Sequence, residues 1–235
     1  MKILAIDAST IAASAAVAEE KKLHGEIFTD YKLKHSEKLL VMVDSLLKNL
    51  RMDIGEMDAF AVCNGPGSFT GLRIALATTK GFAMALNKPI ITVSTLDCLA
   101  HSAFHFDQFI CPILDAQRSQ VYAALYKRKE NVLEKVIDEG AYDISSWINQ
   151  LKEKTGNEKI LFSGDATLKY FDRFAQGLPG SALVAEASIR MPKASYAAKI
   201  ALEKAHRGEV QDVYTAMPNY IRLPQAEENF KEKER

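Results

Sequence analysis

The segment Asn64-Gly65-Pro66-Gly67-Ser68-Phe69-Thr70-Gly71-Leu72-Arg73 restricts the fold more than any other part of the chain. It joins an apolar, strand-like run, Ala59 to Cys63, to a helix-like segment from Ile74 to Leu86. Three glycines and one proline fall within residues 65–71. Glycine opens backbone angles denied to other residues and proline locks one of its own, so together they specify a strand-to-helix turn of unusual shape. Such a turn leaves bare amides at a helix start, where an anion or a closely packed neighbour can sit.

The spacing argues against the common phosphate loops. A Walker loop needs a lysine after its last glycine, and Leu72 follows Gly71. The dinucleotide fingerprint needs a third glycine where Thr70 stands. Gly67, Gly71 and Ala75 instead recur every four residues, with Thr78 or Thr79 and then Phe82 continuing the row. A stripe of small residues lets another backbone approach closely. That neighbour is either the chain's own sheet or a helix of another chain, and an anion at the turn is a third use.

The chain surrounding this turn has an ordinary globular composition. Of its 235 residues 48% are hydrophobic and 26% charged, with 30 basic residues balancing 30 acidic ones. No global field therefore draws it to nucleic acid or to a membrane surface. Cys63, Cys98 and Cys111 lie in apolar contexts without metal-ligand spacing, which suggests reduced core thiols and a cytoplasmic protein. Met1-Lys2 runs directly into a strand-like segment without a signal-peptide pattern, and no apolar run approaches the ~20 residues of a membrane span.

Two similar halves emerge along the chain. Lys2–Asp7, Ala13–Ala18 and Leu23–Thr29 read as a strand meander, followed by a helix over His35–Leu50. The Ala59–Cys63 strand, the glycine turn and its helix come next, then a strand at Ile90–Val93 and a helix capped by Ser94 or Thr95 and running through Ala103. The pattern restarts with strands at Phe109–Leu114, Gln120–Tyr126 and Val132–Ile137. A helix at Asp143–Lys154 follows, then a strand at Lys159–Phe162, a further helix, and an alanine-rich helix between Pro192 and His206. Each half opens with strand, acid and polar turn: Asp7-Ala8-Ser9-Thr10 and Asp115-Ala116-Gln117-Arg118-Ser119. This predicts two related α/β lobes, residues 1–105 and 106–235, with the C-terminal segment free to return to the first lobe. The charged tail after Gln225 is expected to fray.

Few residues offer chemistry. Asp7 and Asp115 end apolar strands, where an acid can hold magnesium beside a nucleotide phosphate or bond the turn amides, such as those of Ser9 and Thr10. For Asp115, Arg118 suggests an ion pair or an intermolecular contact. His35 begins a helix, but its i+4 neighbour is Leu39 and not a second histidine, which argues against a metal site. His101 and His105 share that spacing and read as surface or inter-lobe residues. Neither a Ser-His-Asp nor a Cys-His set is apparent.

With these residues assembled, the chain resembles the TsaB (YeaZ) family of the bacterial tRNA threonylcarbamoyladenosine pathway over nearly its whole length. The strongest match is Gly65-Pro66-Gly67-Ser68-Phe69-Thr70-Gly71-Leu72-Arg73-Ile74. Leu4 to Thr10 matches too, with Ala8 where the family favours Thr. Leu114-Asp115-Ala116 and Val121 to Tyr126 resemble its second lobe, with Gln117 and Gln120 in place of Arg and Glu. Tyr220-Ile221-Arg222 with Gln225-Ala226-Glu227 resembles its C-terminal motif.

The resemblance implies an α/β, two-lobed actin-like ATPase fold with RNase H-like mixed sheets flanked by helices. It also implies a non-catalytic scaffold or activator that binds TsaD and, with TsaE, supports threonylcarbamoyl transfer to adenosine 37 of tRNAs reading ANN codons. Expected with it are a homodimer when alone, tRNA contact only through the complex, no tightly held cofactor or metal, and ATP or ADP in the assembly. The expected partner surface takes Leu40, Val43 and Leu47 from the first long helix, and Gly67, Phe69, Thr70, Gly71, Arg73, Ile74, Ala75, Thr78 and Phe82 from the glycine turn and its helix. Asp7, Ser9, Thr10 and Asp115 are the candidates for a nucleotide. The rival readings are a nucleotide-dependent small-molecule kinase of the actin-like class and a metallopeptidase.

Overall fold

A computed structural model describes residues 1–31 and 35–222, with the side chains of 35–37 excepted. The chain opens with an antiparallel meander of β1 (Ile3–Asp7), β2 (Ala12–Glu19) and β3 (Lys22–Asp30). Then come α1 (His35–Leu50), a 3-10 turn (Ile54–Glu56), β4 (Ala59–Gly65), α2 (Phe69–Leu86), β5 (Ile90–Ser94) and α3 (Thr95–Ser102). The first sheet has the order β3-β2-β1-β4-β5, with β4 parallel to both β1 and β5.

The plan then repeats. β6 (Phe109–Asp115), β7 (Gln120–Lys129) and β8 (Val132–Asp143) form a second meander. After it follow α4 (Ile144–Thr155), β9 (Ile160–Ser163), α5 (Ala166–Gly177), β10 (Ala182–Val184), a short α6 (Ala187–Arg190) and α7 (Ala194–His206). The second sheet runs β10-β9-β6-β7-β8, so β6 takes the place of β1 and β9 that of β4. The halves share one topology although their sequences differ.

Burial explains each layer. β1 is buried at every residue and β4 at all but Asn64, which is why both read as continuous apolar runs. On one face of the first sheet, Leu39, Val43, Leu46 and Leu47 of α1 and Ala75 and Leu76 of α2 pack over Leu4, Ile6, Phe60 and Val62. On the other face, Ala194, Ala197, Ala198 and Ala201 of α7 lie against Ile3, Ala5, Cys63 and Ile91. Alanine lets that helix lie close to the strands, and the Ala194 amide donates to buried Ser14 Oγ at 2.8 Å. In the second lobe Trp147, Ile148 and Leu151 of α4 and Tyr170 and Phe174 of α5 cover one face, with Trp147 stacked on Tyr142 at 4.3 Å. Leu96, Leu99 and Ala100 of α3 cover the other, so α3 ends the first lobe and caps the second.

Four elements differ from the sequence reading. α2 starts at Phe69, five residues before the expected Ile74, because Ser68 Oγ accepts the Gly71 amide at 3.3 Å and caps the helix inside the glycine turn. β8 continues past Ile137 to Asp143, where Asp143 caps α4. β10 and α6, of three and four residues, are too short to carry a period.

Candidate functional site

The glycine turn serves internal packing first. A Cβ on Gly71 would stand 1.9 Å from the Ala8 carbonyl oxygen, and one on Gly67 2.2 Å from that of Ser9. Both positions press the start of α2 against the β1–β2 turn, and the Ser68 amide donates to the Ser9 carbonyl at 2.6 Å. A Cβ on Gly65 would stand 2.7 Å from the Asn219 carbonyl, because a C-terminal strap crosses the turn there. Gly71, Ala75 and Thr79 are buried, and so are Val43 and Leu47 of α1. The small-residue stripe is therefore spent inside the lobe. Gly71, Ala75, Val43 and Leu47 are corrected from surface to core, because their helical phase points at the sheet.

The outward phase belongs to other residues. Thr70, Arg73, Ala77, Gly81 and Met84 are exposed along α2, with Ile74, Thr78 and Phe82 half-buried beside them. On α1 Leu40 and Val41 are 54% and 60% exposed, and Met84 is 56% exposed. Phe82 also leans on Phe60, with ring centroids 5.8 Å apart. Of the residues expected at a partner surface, Leu40, Thr70 and Arg73 are exposed and Ile74, Thr78 and Phe82 half-buried, while Val41, Ala77, Gly81 and Met84 are exposed without having been expected there. The signal was present in the sequence: 70, 73, 77, 81 and 84 step by three or four, and 73 and 77 fall midway between 71, 75 and 79.

Beside this face a cleft of about 710 Å³ opens between the lobes. Thr10, Ile11, Ser68 and Thr70 line one wall and Asp115, Gln117, Arg118 and Asp165 the other. Phe69 sits at its rim, stacked on Tyr220 at 5.0 Å with the Arg73 guanidinium 3.8 Å above its ring. Arg73 Nε donates to the Tyr220 hydroxyl at 2.9 Å. The strap that carries Tyr220 begins at Gln211, which pairs both its amide and its carbonyl with Ile90. It is held at Asn64 by two further hydrogen bonds, and Arg222 Nη1 reaches the Ala116 carbonyl of the second lobe at 3.2 Å.

The candidate nucleotide residues divide. Thr10 and Asp115 line the cleft, whereas Asp7 and Ser9 are fully buried away from it. Asp7 Oδ1 accepts the Ser9 amide at 3.1 Å, the turn role. Asp115 Oδ1 accepts the Gln117 amide at 3.0 Å and the Tyr170 hydroxyl at 3.2 Å, and its Oδ2 holds Lys169 Nζ at 2.6 Å. The ion pair anticipated with Arg118 is made with Lys169, because residues 117–119 all adopt left-handed angles and carry Arg118 into the cleft wall. Lys169 is held above its usual pKa chiefly by that carboxylate. Burial, joined by the charge of Asp115, raises Asp165, although the Asp115 amide donates to its Oδ1 at 3.0 Å. A metal–nucleotide pair flanked by Asp7 and Asp115 does not fit this arrangement: one carboxylate is inside the lobe and the other is committed to an ammonium.

Elsewhere, His101 is partly buried and donates from Nδ1 to the Asp97 carbonyl at 2.9 Å, while His105 is exposed. The His35 side chain and the Gln225-Ala226-Glu227 motif lie outside the described residues. Among the described residues no group of three or more His, Cys, Asp or Glu side chains is placed to hold a metal ion, and no helix is long and apolar enough to cross a membrane. The three cysteines are free and buried, and the Cys98 thiol beside Cys63, reinforced by burial, pushes the Cys63 pKa well up.

Two like-built lobes around a cleft define an actin-like ATPase fold. Component A of the (R)-2-hydroxyglutaryl-CoA dehydratase of Acidaminococcus fermentans shares it, with a TM-score of 0.51 at 12% identity over 88% of this chain and 99% of that one. The family model for TsaD, tRNA N6-adenosine threonylcarbamoyltransferase, matches residues 13–230. The tRNA threonylcarbamoyladenosine biosynthesis protein TsaB of Bacillus subtilis (strain 168) is 35% identical over 235 residues, all of both chains. The structure of YeaZ from Pseudomonas aeruginosa superposes with a TM-score of 0.79 at 27% identity, covering 93% of this chain and 99% of that one. The chain belongs to the TsaB (YeaZ) family.

Proposed function

We propose that this chain acts in tRNA threonylcarbamoyladenosine biosynthesis as a non-catalytic scaffold that docks a TsaD-type transferase. The observation that carries the reading is the outward face of α1 and α2. There Leu40 and Val41 of α1 and Met84 of α2 stand more than half exposed, and Thr70, Ala77 and Gly81 of α2 are exposed as well. Exposed apolar and small residues on a pair of helices suit helix-on-helix docking, and a specific contact needs only ~800 Å² from each partner. A second copy of this chain presents the same face, so a homodimer competes with the transferase for it.

The cleft supports the absence of chemistry in this subunit. With Asp7 buried and Asp115 paired to Lys169, neither of these two carboxylates stands open to a metal–nucleotide pair. ATP or ADP, TsaE and tRNA then belong to the assembly, in the cytoplasm, and tRNA reaches this chain through its partner. The test is reconstitution of threonylcarbamoyl transfer to tRNA with purified TsaD, TsaE and the threonylcarbamoyl donor, with and without this chain. Transfer that depends on this chain is expected, together with no ATP turnover by the chain alone. Full transfer in its absence would overturn the reading.

A further inference from the structure

The joint between the lobes carries a polar network on the hinge side, formed by side chains outside the cleft lining. Ser94 is the last residue of β5 and the N-cap of α3, where its Oγ accepts the amides of Leu96 and Asp97 at 3.2 and 3.4 Å. The same hydroxyl donates across the joint to Glu139 Oε2 of β8 at 3.0 Å. Asp97, in the first turn of α3, accepts the Tyr126 hydroxyl of β7 at 2.7 Å and faces Lys135 Nζ of β8 at 3.0 Å. Lys135 also holds Glu139 Oε1 at 2.8 Å. Ser94 and Asp97 from the end of the first lobe and Lys135 and Glu139 of β8 therefore close one ring, to which Tyr126 of β7 is bonded through Asp97.

This ring differs from the surface pairs of the molecule. The Asp97, Lys135 and Glu139 side chains are 31%, 26% and 17% exposed, and Tyr126 is buried. Burial works hardest on Lys135 and opposes its charge, yet Glu139 and Asp97 together outweigh it and keep the ammonium above its ordinary pKa. Linked, partly desolvated hydrogen bonds are directional, and moving one partner breaks several at once. A change of lobe angle that turned β8 against the β5–α3 corner would pull Glu139 off Ser94 and Lys135 off Asp97 together.

We propose that Ser94, Asp97, Tyr126, Lys135 and Glu139 are a brace across the hinge that holds the two lobes at one angle. The protein then works as a single rigid body, and not as lobes that close upon a ligand. This goes beyond the docking reading and does not depend on it. Loss of the brace loosens the lobe angle, while the apolar contacts of Leu96, Leu99 and Ala100 with the second sheet remain.

Inter-lobe distance measured by pulsed electron resonance tests this. Spin labels go on cysteines introduced at exposed Lys21 and Lys152, one in each lobe, in the full chain diluted with unlabelled protein. The native cysteines are buried and stay unlabelled. The wild-type background should give one narrow distance, and Lys135→Met and Glu139→Gln should both broaden it. Lys127→Met, which removes the Lys127–Glu158 pair within the second lobe, should leave it unchanged. If Lys135→Met fails to fold, Glu139→Gln, which keeps the side-chain volume, carries the test. A broad wild-type distribution, or folded brace variants as narrow as the wild type, would overturn the proposal.

Discussion

Asp7 and Asp115 make the same bond at equivalent strand ends of the two lobes. Oδ1 of each accepts the amide two residues on, Ser9 at 3.1 Å and Gln117 at 3.0 Å. What differs is the surroundings, since Asp7 is fully buried while Asp115 meets the cleft and Lys169. Asp7→Ala should therefore cost about 1–3 kcal/mol, the loss of a buried hydrogen-bonded acceptor. Asp115→Asn keeps an acceptor for the Gln117 amide and gives up only a partly exposed ion pair, for about 0–1 kcal/mol. Urea unfolding midpoints check the ranking, and a greater loss at Asp115 would reverse it.

The two glycines inside α2 make opposite predictions. Gly71→Ala brings a methyl group onto the Ala8 carbonyl, where a backbone atom cannot step aside, and should destabilise by about 1–3 kcal/mol. At Gly81 nothing lies within 4 Å of where a Cβ would stand, so Gly81→Ala should stabilise by up to about 1 kcal/mol through helix propensity. Thermal denaturation of the two variants should shift in opposite directions. A stable Gly71→Ala protein would mean that α2 can lift from the β1–β2 turn.

His101 gives a pH dependence of stability. Burial lowers its pKa beneath the ordinary value of 6.5, against the pull of the Asp97 carbonyl and of the Glu203 and Asp97 charges, with Lys199 adding to the lowering. Near that pH the unfolded chain binds more protons than the folded one, so stability rises with pH through this window. The contribution is complete above the unfolded value and is lost as pH falls through it towards the folded value. Stability measured from about pH 8 to about pH 5 should fall more steeply for the wild type than for His101→Gln. Equal slopes would show that the imidazole keeps its proton balance on folding.

Much of the fold was legible because its signals are local. The α1 boundaries, the α3 cap at Ser94 and the repeated strand-acid-turn openings each follow from period or cap chemistry over a few residues. The site was only half legible. The spacing of Gly67, Gly71 and Ala75 announced close packing but not its partner, and the partner is the Ala8–Ser9 backbone, more than fifty positions away in sequence. Choosing between the 71/75/79 and 70/73/77 rows needs the direction of the sheet, which no periodicity supplies. The Tyr220–Phe69–Arg73 cluster joins residues about 150 positions apart and left no local trace.

The docking face is tested most directly by titrating purified TsaD from the same organism with this protein and with Leu40→Glu and Met84→Glu. Both residues are more than half exposed, so both variants should keep the wild-type melting temperature. Each should bind TsaD roughly tenfold or more weakly, a loss of ~1.4 kcal/mol or greater. Wild-type affinity in both folded variants would contradict the account.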